Sequence, residues 1–275
     1  MTPFFSSDRG SIYKARAEAV YPLIDPGSVS LVISDGPYNM RKAEWDKFAS
    51  WDAFVDWYRP HIAAWSVACA PSATVYVWGS DEGEGYLRAP MRKAGWTFKG
   101  SVVWNKIAPP LTLGRSWPEV TERTGVWMRG AARVTHPDHS PRRHSGEHVP
   151  AVTNVWALAP GAYVRERLKG HRGLARDGSE VDVSLHPCQK PLAFYDRIIR
   201  ASSRPGELVL EPYGGTCRAA VACERLPRAE ARRYVCVEPD EDGRGYLDAI
   251  LPQLRYDPAD DDQGAQPSLF GETNA

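Results

Sequence analysis

The sequence predicts an α/β fold built on an open, mostly parallel sheet. Three observations support this prediction: short apolar runs of buried-strand type, helical patterns between them, and acids at the ends of two strands. Continuous apolar runs of about four to eight residues are typical of strands covered on both faces, as in parallel sheets. The 275 residues suffice for one large domain with insertions or for two small domains.

The first predicted strand covers residues 29–34 and ends at Asp35, Gly36, Pro37 and Tyr38. Its residues are largely aliphatic or β-branched, and a glycine and a proline that favour a turn follow directly. Ligands bind outside the carboxyl ends of the strands in an open α/β sheet, which makes Asp35 and Tyr38 candidate functional residues. The local sequence leaves open a second interpretation, in which Asp35 caps the next element and Tyr38 packs beside it.

Further elements alternate along the first half of the chain. An aromatic-rich helical pattern covers about 50–69, and a second helix is expected near 82–94. Apolar strand patterns cover 74–78, 98–106 and 122–130. This alternation of strands and helices is the pattern of βαβ units in a parallel sheet.

Periodicity fails from about 131 to 184, where prolines, glycines, histidines and arginines dominate. A long irregular stretch in a compact domain is usually functional or disordered. The net charge of the chain is zero, but acids concentrate in the C-terminal tail, so the remainder is net basic. Because phosphate attraction depends on local charge, both a DNA-facing surface and a merely solvated one fit this stretch. The candidate DNA-binding residues are Arg129, Arg133, Arg142, Arg143 and Lys169.

A strand, a turn, a helix and a second strand are predicted between residues 207 and 238. Gly214 and Gly215 in the turn allow a ligand to approach the backbone, and an acid at the end of the second strand can bind a ribose diol. The third glycine of a dinucleotide fingerprint is missing. Glu211 and Glu238 therefore indicate a nucleoside ligand without a diphosphate, a description that S-adenosylmethionine fits.

Three segments together resemble motifs of the DNA amino-methyltransferases: SDGPYNM, HPCQKP and LVLEPYGGTCRAAVACERLPRAEARRYVCVEPD. Their order, with the catalytic motif first and the cofactor motif last, resembles the permuted β-class group over roughly residues 8 to 250. The resemblance implies a Rossmann-like, seven-stranded, mostly parallel methyltransferase sheet with helices on both faces. It also implies a catalytic domain over 1–256 and a small irregular target-recognition insert at about 107–184. The acidic and polar composition of residues 257–275 predicts a disordered tail.

The resemblance assigns roles to the residues that match each motif. Asp35 and the carbonyl of Gly36 would accept the two N–H bonds of an exocyclic amino group, while Tyr38 would stack on a base extruded from the duplex. The predicted catalytic set is Asp35, Gly36, Pro37 and Tyr38. The predicted cofactor-binding set is Glu211, Tyr213, Gly214, Gly215, Thr216, Glu238, Gln189, Lys190 and Asp35.

The predicted function is a site-specific DNA methyltransferase that uses S-adenosylmethionine. Adenine N6 is favoured over cytosine N4 because an aspartate stands at position 35. Gly36 replaces a proline of the family pattern and Cys217 replaces a glycine, whose new side chain is expected to narrow the cofactor site. Two alternatives stay open: a catalytically decayed DNA-binding relative, and an N-methyltransferase that acts on RNA or protein amides.

The tail contains the segment QPSLF, which resembles the peptide that holds bacterial DNA enzymes on the sliding clamp through Gln266, Ser268, Leu269 and Phe270. The expected partners are double-stranded DNA and a bacterial sliding clamp, with a homodimer also open. Scattered cysteines and the lack of any apolar run of membrane-spanning length predict a cytoplasmic protein without membrane segments. Four histidines between 136 and 148 have irregular spacing, so no metal is predicted.

Overall fold

The computed structural model describes residues 1–106, 120–132, 134, 153–158, 169–174, 180–184, 186, 188–241 and 245–255, with the backbone alone for 169–174 and 180–184. The strands are β1 (Phe5–Ser6), β2 (Gly10–Tyr13), β3 (Val29–Ser34), β4 (Cys69–Gly79), β5 (Thr97–Asn105), β6 (Thr121–Arg129), β7 (Val155–Ala157), β8 (Lys169–Leu174), β9 (Glu180–Ser184), β10 (Leu208–Glu211) and β11 (Arg233–Val237). The helices are α1 (Ala17–Val20), α2 (Trp51–Ala68), α3 (Asp81–Lys93), α4 (Leu192–Ser202), α5 (Arg218–Arg225) and α6 (Tyr246–Leu254).

Nine strands form the main sheet, in the order β1-β2-β11-β10-β3-β4-β6-β5-β7. All of them run parallel except β1 and β6, which are antiparallel to their neighbours. The predicted seven strands correspond to the continuous run from β2 to β5. The edge strands β1 and β7, of two and three residues, bring the total to nine.

The central strand β3 shows why its sequence is apolar without alternation. Leu31 and Ile33 enter one core and Val32 enters the other, because successive side chains of a strand face opposite sides of the sheet. On the Val32 side the sheet is covered by α2 and α3, and on the other side by α4, α5 and α6. The prediction of helices on both faces is confirmed.

Helix α2 also supports the segment that follows β3. Its start is fixed by Ser50, whose Oγ accepts a hydrogen bond from the Ala53 N–H at 3.1 Å, an N-cap worth about 1 kcal/mol. Two turns further on, Tyr58 is fully buried and its hydroxyl donates to the carbonyl of Pro37 at 3.1 Å. Helix α2 therefore fixes the backbone of the segment that follows β3.

Two described strands within the range predicted for the insert, about 107–184, belong to the main sheet. β6 lies within that range, yet it pairs with both β4 and β5 and is an interior strand of the sheet. β7 also joins the main sheet, by parallel pairing with β5. Of the residues described in this range, the hairpin of β8 and β9 forms a separate two-stranded sheet. The irregular composition between β6 and β7 gives no local sign that both strands pair with β5.

Candidate active site at the carboxyl ends of the strands

A cleft of about 340 Å³ opens at the carboxyl ends of β3, β10 and β11. These strands are neighbours in the sheet, so the acids and glycines that follow them meet at one edge. The start of β6 and the segment before α4 contribute further walls. The predicted residues that line the cleft are Asp35, Gly36, Pro37, Tyr38, Gln189, Lys190, Tyr213, Gly214, Gly215, Thr216 and Glu238.

A buried carboxylate holds the loop that follows the catalytic motif. Asp46 accepts hydrogen bonds from the backbone N–H groups of Tyr38, Asn39, Met40 and Lys42, at 2.6 to 3.2 Å. Hydrogen bonds to an ionised acceptor are stronger than neutral ones, so Asp46 fixes the path by which the chain leaves β3. The sequence does not distinguish Asp46 from a surface acid, because its donors are backbone groups.

Asp35 is at the centre of a charge network on the catalytic side of the cleft. Its Oδ1 accepts a hydrogen bond from the Tyr38 hydroxyl at 2.6 Å, and Lys190 Nζ lies 3.0 and 3.1 Å from its two oxygens. Burial raises the pKa of the Asp35 carboxyl above its ordinary value, while Lys190 and Tyr38 oppose that rise. The Lys190 ammonium also lies 5.2 Å from the centre of the Tyr38 ring, within cation–π range. Lys190, predicted in the cofactor set, therefore contacts the carboxylate predicted to be catalytic.

Glu122, at the start of β6, is a second acid of this network and was not predicted. Its Oε2 lies 3.2 Å from Lys190 Nζ, and its Oε1 pairs with Lys106, just past the end of β5. Burial favours the neutral carboxyl, but the ammonium groups of Lys190 and Lys106 lower the pKa of Glu122 to about 2. Charges therefore alternate from Lys106 through Glu122 and Lys190 to Asp35. Only the antiparallel placement of β6 brings Glu122 to this edge of the sheet, so sequence spacing gave no signal for it.

Gly36, which departs from the family motif, lies where two tyrosine side chains leave no room for a Cβ atom. A Cβ atom at this position would lie 2.6 Å from Tyr58 Oη and 2.8 Å from Tyr213 Cδ2. Both tyrosine side chains thus occupy the space that a larger residue would need. The carbonyl of residue 36 is retained, and Pro37 still follows it.

The cofactor side of the cleft is built by the turn after β10. The Gly214 N–H donates to the Val237 carbonyl at 2.7 Å, and the Gly215 N–H donates to Glu238 Oε2 at 2.7 Å. Gly215 adopts a φ of +52°, and a Cβ there would lie 3.0 Å from His186 Nε2. These bonds join the turn to the end of β11, so the backbone itself forms this wall.

Glu211, predicted to bind the cofactor, lies behind the turn. It is fully buried and is not part of the cleft wall. Its Oε2 accepts hydrogen bonds from the Ala219 N–H at 3.1 Å and the Cys236 thiol at 3.2 Å, under the first turn of α5. Burial raises the pKa of Glu211 to about 8, against the opposing hydrogen bonds from Cys236 and Ala219. We therefore correct its role from direct contact to support of the turn.

Cys217 adopts a left-handed backbone conformation, with φ 43° and ψ 52°, immediately before α5. L side chains are disfavoured there, which is consistent with a glycine in the family pattern. The Cys217 side chain is fully buried and does not line the cleft, so the expectation that it narrows the cofactor site is wrong. Its neighbour Arg218 does line the cleft, and Arg218 Nε donates to Thr216 Oγ1 at 3.1 Å.

Arg129 is the one predicted DNA-binding residue whose side chain is described, and its role is corrected. Its guanidinium donates to the carbonyls of Ser66 and Ala70 at 2.8 and 2.9 Å and lies 4.9 Å from the centre of the Trp96 ring. At about 3.4 Å per residue, it stands roughly 24 Å along β6 from Glu122. Arg129 therefore fastens the end of α2, at the edge of the sheet opposite the cleft.

The remaining predicted interaction residues are not tested by these contacts. Outside the described residues lie Arg133, Arg142, Arg143, Gln266, Ser268, Leu269 and Phe270, together with the side chain of Lys169. Within the described ranges, no helix has the length and apolar character to cross a membrane. The same ranges contain no group of three or more His, Cys, Asp or Glu residues arranged to hold a metal.

The sheet and the cleft together define a class of protein. Seven consecutive strands with one antiparallel member, and a glycine turn beside an acidic strand end, are the features of a Rossmann-like methyltransferase. A family model described as DNA methylase matches residues 29–243. The chain belongs to this family, the S-adenosylmethionine-dependent DNA methyltransferases that modify adenine N6 or cytosine N4.

Known relatives agree with this assignment. DNA adenine methyltransferase YhdJ of Escherichia coli (strain K12) is 24% identical over 257 residues, covering 85% of this chain and 80% of the relative. Type II methyltransferase M2.LlaDCHI of Lactococcus lactis subsp. cremoris is 20% identical over 256 residues, covering 87% and 88%.

Solved structures show the same fold. The PvuII DNA methyltransferase (cytosine-N4-specific) matches with a TM-score of 0.65 at 14% identity, covering 94% of this chain and 92% of that one. The M1.HpyAVI–SAM complex matches with a TM-score of 0.58 at 18% identity, covering 89% and 99%.

Proposed function

We propose that the protein methylates the amino group of a base flipped out of double-stranded DNA at a specific sequence, with adenine N6 as the target. One observation carries this proposal: a single cleft holds both Asp35 with Tyr38 and the turn at Gly214 and Gly215. S-adenosylmethionine, when bound, supplies the electrophilic methyl group. The turn fits its nucleoside part, since a Cβ at Gly215 would fill space beside His186.

The residues of the catalytic side activate a weak nucleophile. The lone pair of an exocyclic amino group is delocalised into the ring, and acceptors for its two N–H bonds localise that pair on nitrogen. Asp35 and the Gly36 carbonyl supply those acceptors, and the Tyr38 hydroxyl holds Asp35 at 2.6 Å. After methyl transfer, the amino nitrogen gives up one proton through Asp35 to water.

The target base leaves the duplex to reach Asp35, which costs about a few kcal/mol of stacking and pairing. Stacking on the Tyr38 ring offsets part of this, at about 1–3 kcal/mol for a base–aromatic contact. Tyr38 lines the cleft and is partly exposed, so its side chain is accessible from the cleft.

Adenine is preferred to cytosine in this proposal because of Asp35. Cytosine-N4 members of the family more often resemble Ser-Pro-Pro-aromatic at this motif. The relatives point both ways, since one is named an adenine methyltransferase and one is titled cytosine-N4-specific.

Expression in a host that lacks DNA methylation tests the proposal. We expect long-read sequencing to find N6-methyladenine at one recognition sequence, and mass spectrometry of the nucleosides to identify the same base. Asp35→Ala, expressed to the same level, is the matched control without modification. If N4-methylcytosine is found instead, the target base is cytosine. Unmodified DNA in the host that expresses the wild-type protein would contradict the proposed function.

The alternative of a decayed DNA-binding relative predicts loss of cofactor binding. The two departures from the family motif are both accommodated, since Gly36 leaves room for the side chains of Tyr58 and Tyr213, and Cys217 is buried outside the lining of the cleft. These fits support an active enzyme. Calorimetry separates the two, because a folded protein that binds no S-adenosylmethionine at millimolar concentration would favour decay. The alternative of an RNA or protein-amide substrate is tested by incubating the protein with each substrate and labelled S-adenosylmethionine and measuring the transfer of the label.

For DNA contact, the proposed basic set is Arg133, Arg142, Arg143 and Lys169, now without Arg129. Replacing Arg142 and Arg143 together by Ala should weaken DNA binding and flatten its salt dependence, because each phosphate contact releases counterions. Arg129→Met is the control expected to lower stability and leave the salt slope unchanged.

The tail peptide of Gln266, Ser268, Leu269 and Phe270 is proposed to dock on a bacterial sliding clamp, which would concentrate the enzyme on replicated DNA. A peptide of residues 260 to 275 should bind the clamp, and a Leu269→Ala, Phe270→Ala peptide should not. Because the substrate is DNA, we propose a cytoplasmic location, and sedimentation would show whether the protein is a homodimer.

A further inference from the structure

A buried lysine in the cleft is divided between two carboxylates. The Lys190 side chain is only 3% exposed, and its Nζ lies 3.0 Å from Asp35 Oδ1 and 3.2 Å from Glu122 Oε2. Glu122 in turn is paired on its other oxygen with Lys106. A carboxylate that alone binds an ammonium group uses some of its lone pairs for that contact. When a second carboxylate shares the ammonium, the first keeps more lone pairs free to accept other hydrogen bonds.

We propose that Glu122 is a positioning residue, which holds part of the Lys190 ammonium and so keeps the Asp35 carboxylate available to the amino group of the target base. This inference rests on the proposed function, because Asp35 is the acceptor in that reaction. It assigns Glu122 a role in the reaction that nothing in the catalytic motif indicates. Glu122 lines the same cleft as Asp35, at the start of an antiparallel strand.

Glu122 does not accept the proton that leaves the base. The ammonium groups of Lys190 and Lys106 lower its pKa to about 2, so Glu122 acts as a negative charge near neutral pH. Lys106 moderates that charge from the other side. The two residues therefore tune the Lys190–Asp35 pair in opposite directions.

The surroundings of Asp35 make the sign of each change definite. The tyrosines and the thiol nearby have raised pKa values, chiefly through burial, and stay neutral. The titratable and charged groups that interact with Asp35 are Tyr38 from its own loop, Tyr58 from α2, Glu122 from β6, Cys188 and Lys190 before α4, and Tyr195 from α4. One step further out, Lys42 acts on Cys188 and Lys106 acts on Glu122.

Two variants with opposite expected effects test the proposal. Glu122→Gln removes a negative charge, so the pKa of Asp35 should fall and the acid limb of the pH profile of kcat/KM should move to lower pH. Lys106→Met leaves the Glu122 charge less neutralised, so the same limb should move to higher pH. We expect kcat of Glu122→Gln to fall about 10- to 100-fold, as for a misplaced reacting group, with unchanged affinity for S-adenosylmethionine.

A readout that needs no activity accompanies the kinetics. The carboxyl of Asp35 can be titrated by ¹³C NMR in protein labelled at aspartate, with Asp35→Asn to assign the signal. A merely structural Glu122 would lower the Tm of the variant and leave both titrations in place. Unmoved titrations in both variants, or shifts in the same direction, would overturn the proposal. If Glu122→Gln does not fold, the direction of the Lys106→Met shift decides.

The same measurements separate the proposed methyltransferase function from the role of Glu122. An inactive wild-type protein whose Asp35 titration still shifts oppositely in the two variants would contradict the proposed function and support the charge coupling. An active wild-type protein with unmoved titrations would contradict only the role of Glu122.

Discussion

The two sides of the cleft are built by different means. On the catalytic side, Asp35, Lys190, Glu122 and Lys106 come from separate elements and are held by ion pairs. On the cofactor side, the N–H groups of the turn after β10 donate to the Val237 carbonyl at the end of β11 and to the Glu238 carboxylate that follows it, and the buried acid Glu211 lies behind the turn. The catalytic side should therefore be sensitive to a change of charge at constant shape, and the cofactor side to a change of backbone shape.

The largest effect is expected on the catalytic side. Asp35→Asn preserves shape and removes the charge, so methyl transfer should fall by about 10³-fold, within the range for a group that handles a proton in the transition state. Affinity for S-adenosylmethionine should stay the same, because the turn is built elsewhere. Initial rates with labelled cofactor and calorimetry measure the two quantities.

Asp56→Ala removes an exposed acid of α2 that pairs with Arg59, and it is the matched control, with wild-type activity expected. An Asp35→Asn variant with full activity would show that the charge on this side is not needed, and the comparison would fail.

The second effect concerns the neutral acid beneath the turn. The pKa of Glu211 is about 8 in the folded protein against an ordinary value of 4.5, so between these values the folded state keeps a proton that the unfolded state releases. Stability should therefore fall as pH rises through this window, by at most about 1.4 kcal/mol per pH unit.

Glu211→Gln cannot ionise and should lack this part of the fall. Urea unfolding of both proteins from pH 5 to pH 8 measures it, with the difference in free energy of unfolding growing as pH rises. Parallel curves would mean that Glu211 is ionised in the folded protein, and that charge governs the cofactor side as well.

A smaller effect is expected where shape matters on the catalytic side. Gly36→Ala places a methyl group against Tyr58 and Tyr213, and such overpacking costs about 1–3 kcal/mol of stability. Tyr58→Phe removes the atom of nearest approach, so the double variant should lose less than the sum of the single losses. Additive free energies of unfolding would contradict the steric account.

The sequence predicted the parts of this molecule that depend on neighbouring residues. The strands at 29–34 and 207–211 and the helices between them follow from local periodicity and turn chemistry, and the structure confirms these elements. Most residues of the predicted catalytic and cofactor-binding sets line one cleft, because each set follows the end of a strand.

What the sequence missed depends on pairing between distant segments. Glu122 reaches the cleft because β6 is inserted antiparallel between β4 and β5, and no local pattern encodes that order. Asp46 acts through backbone N–H groups, which leave no trace in side-chain spacing. Arg129 was misassigned because a basic residue at a strand end looks the same whether it faces DNA or fastens a helix.

The smallest effect is expected at Cys217, where the cofactor side departs from its family pattern. Cys217→Gly relieves a left-handed conformation that costs roughly 1–2 kcal/mol for an L-residue. The same change frees the unfolded chain, which costs about 0.4–1 kcal/mol, and also removes a fully buried thiol. The net change in free energy of unfolding should therefore stay within about 1 kcal/mol.

Cofactor affinity is the sharper measurement for this position. Cys217 does not line the cleft, so Cys217→Gly should leave the Kd for S-adenosylmethionine unchanged. Gly215→Ala is the matched comparison in the same turn: it adds a methyl group to the cleft wall, 3.0 Å from His186, and should weaken binding. Calorimetry of both variants decides the point. Tighter binding by Cys217→Gly would show that the thiol does narrow the site. Backbone shape alone would then not govern the cofactor side.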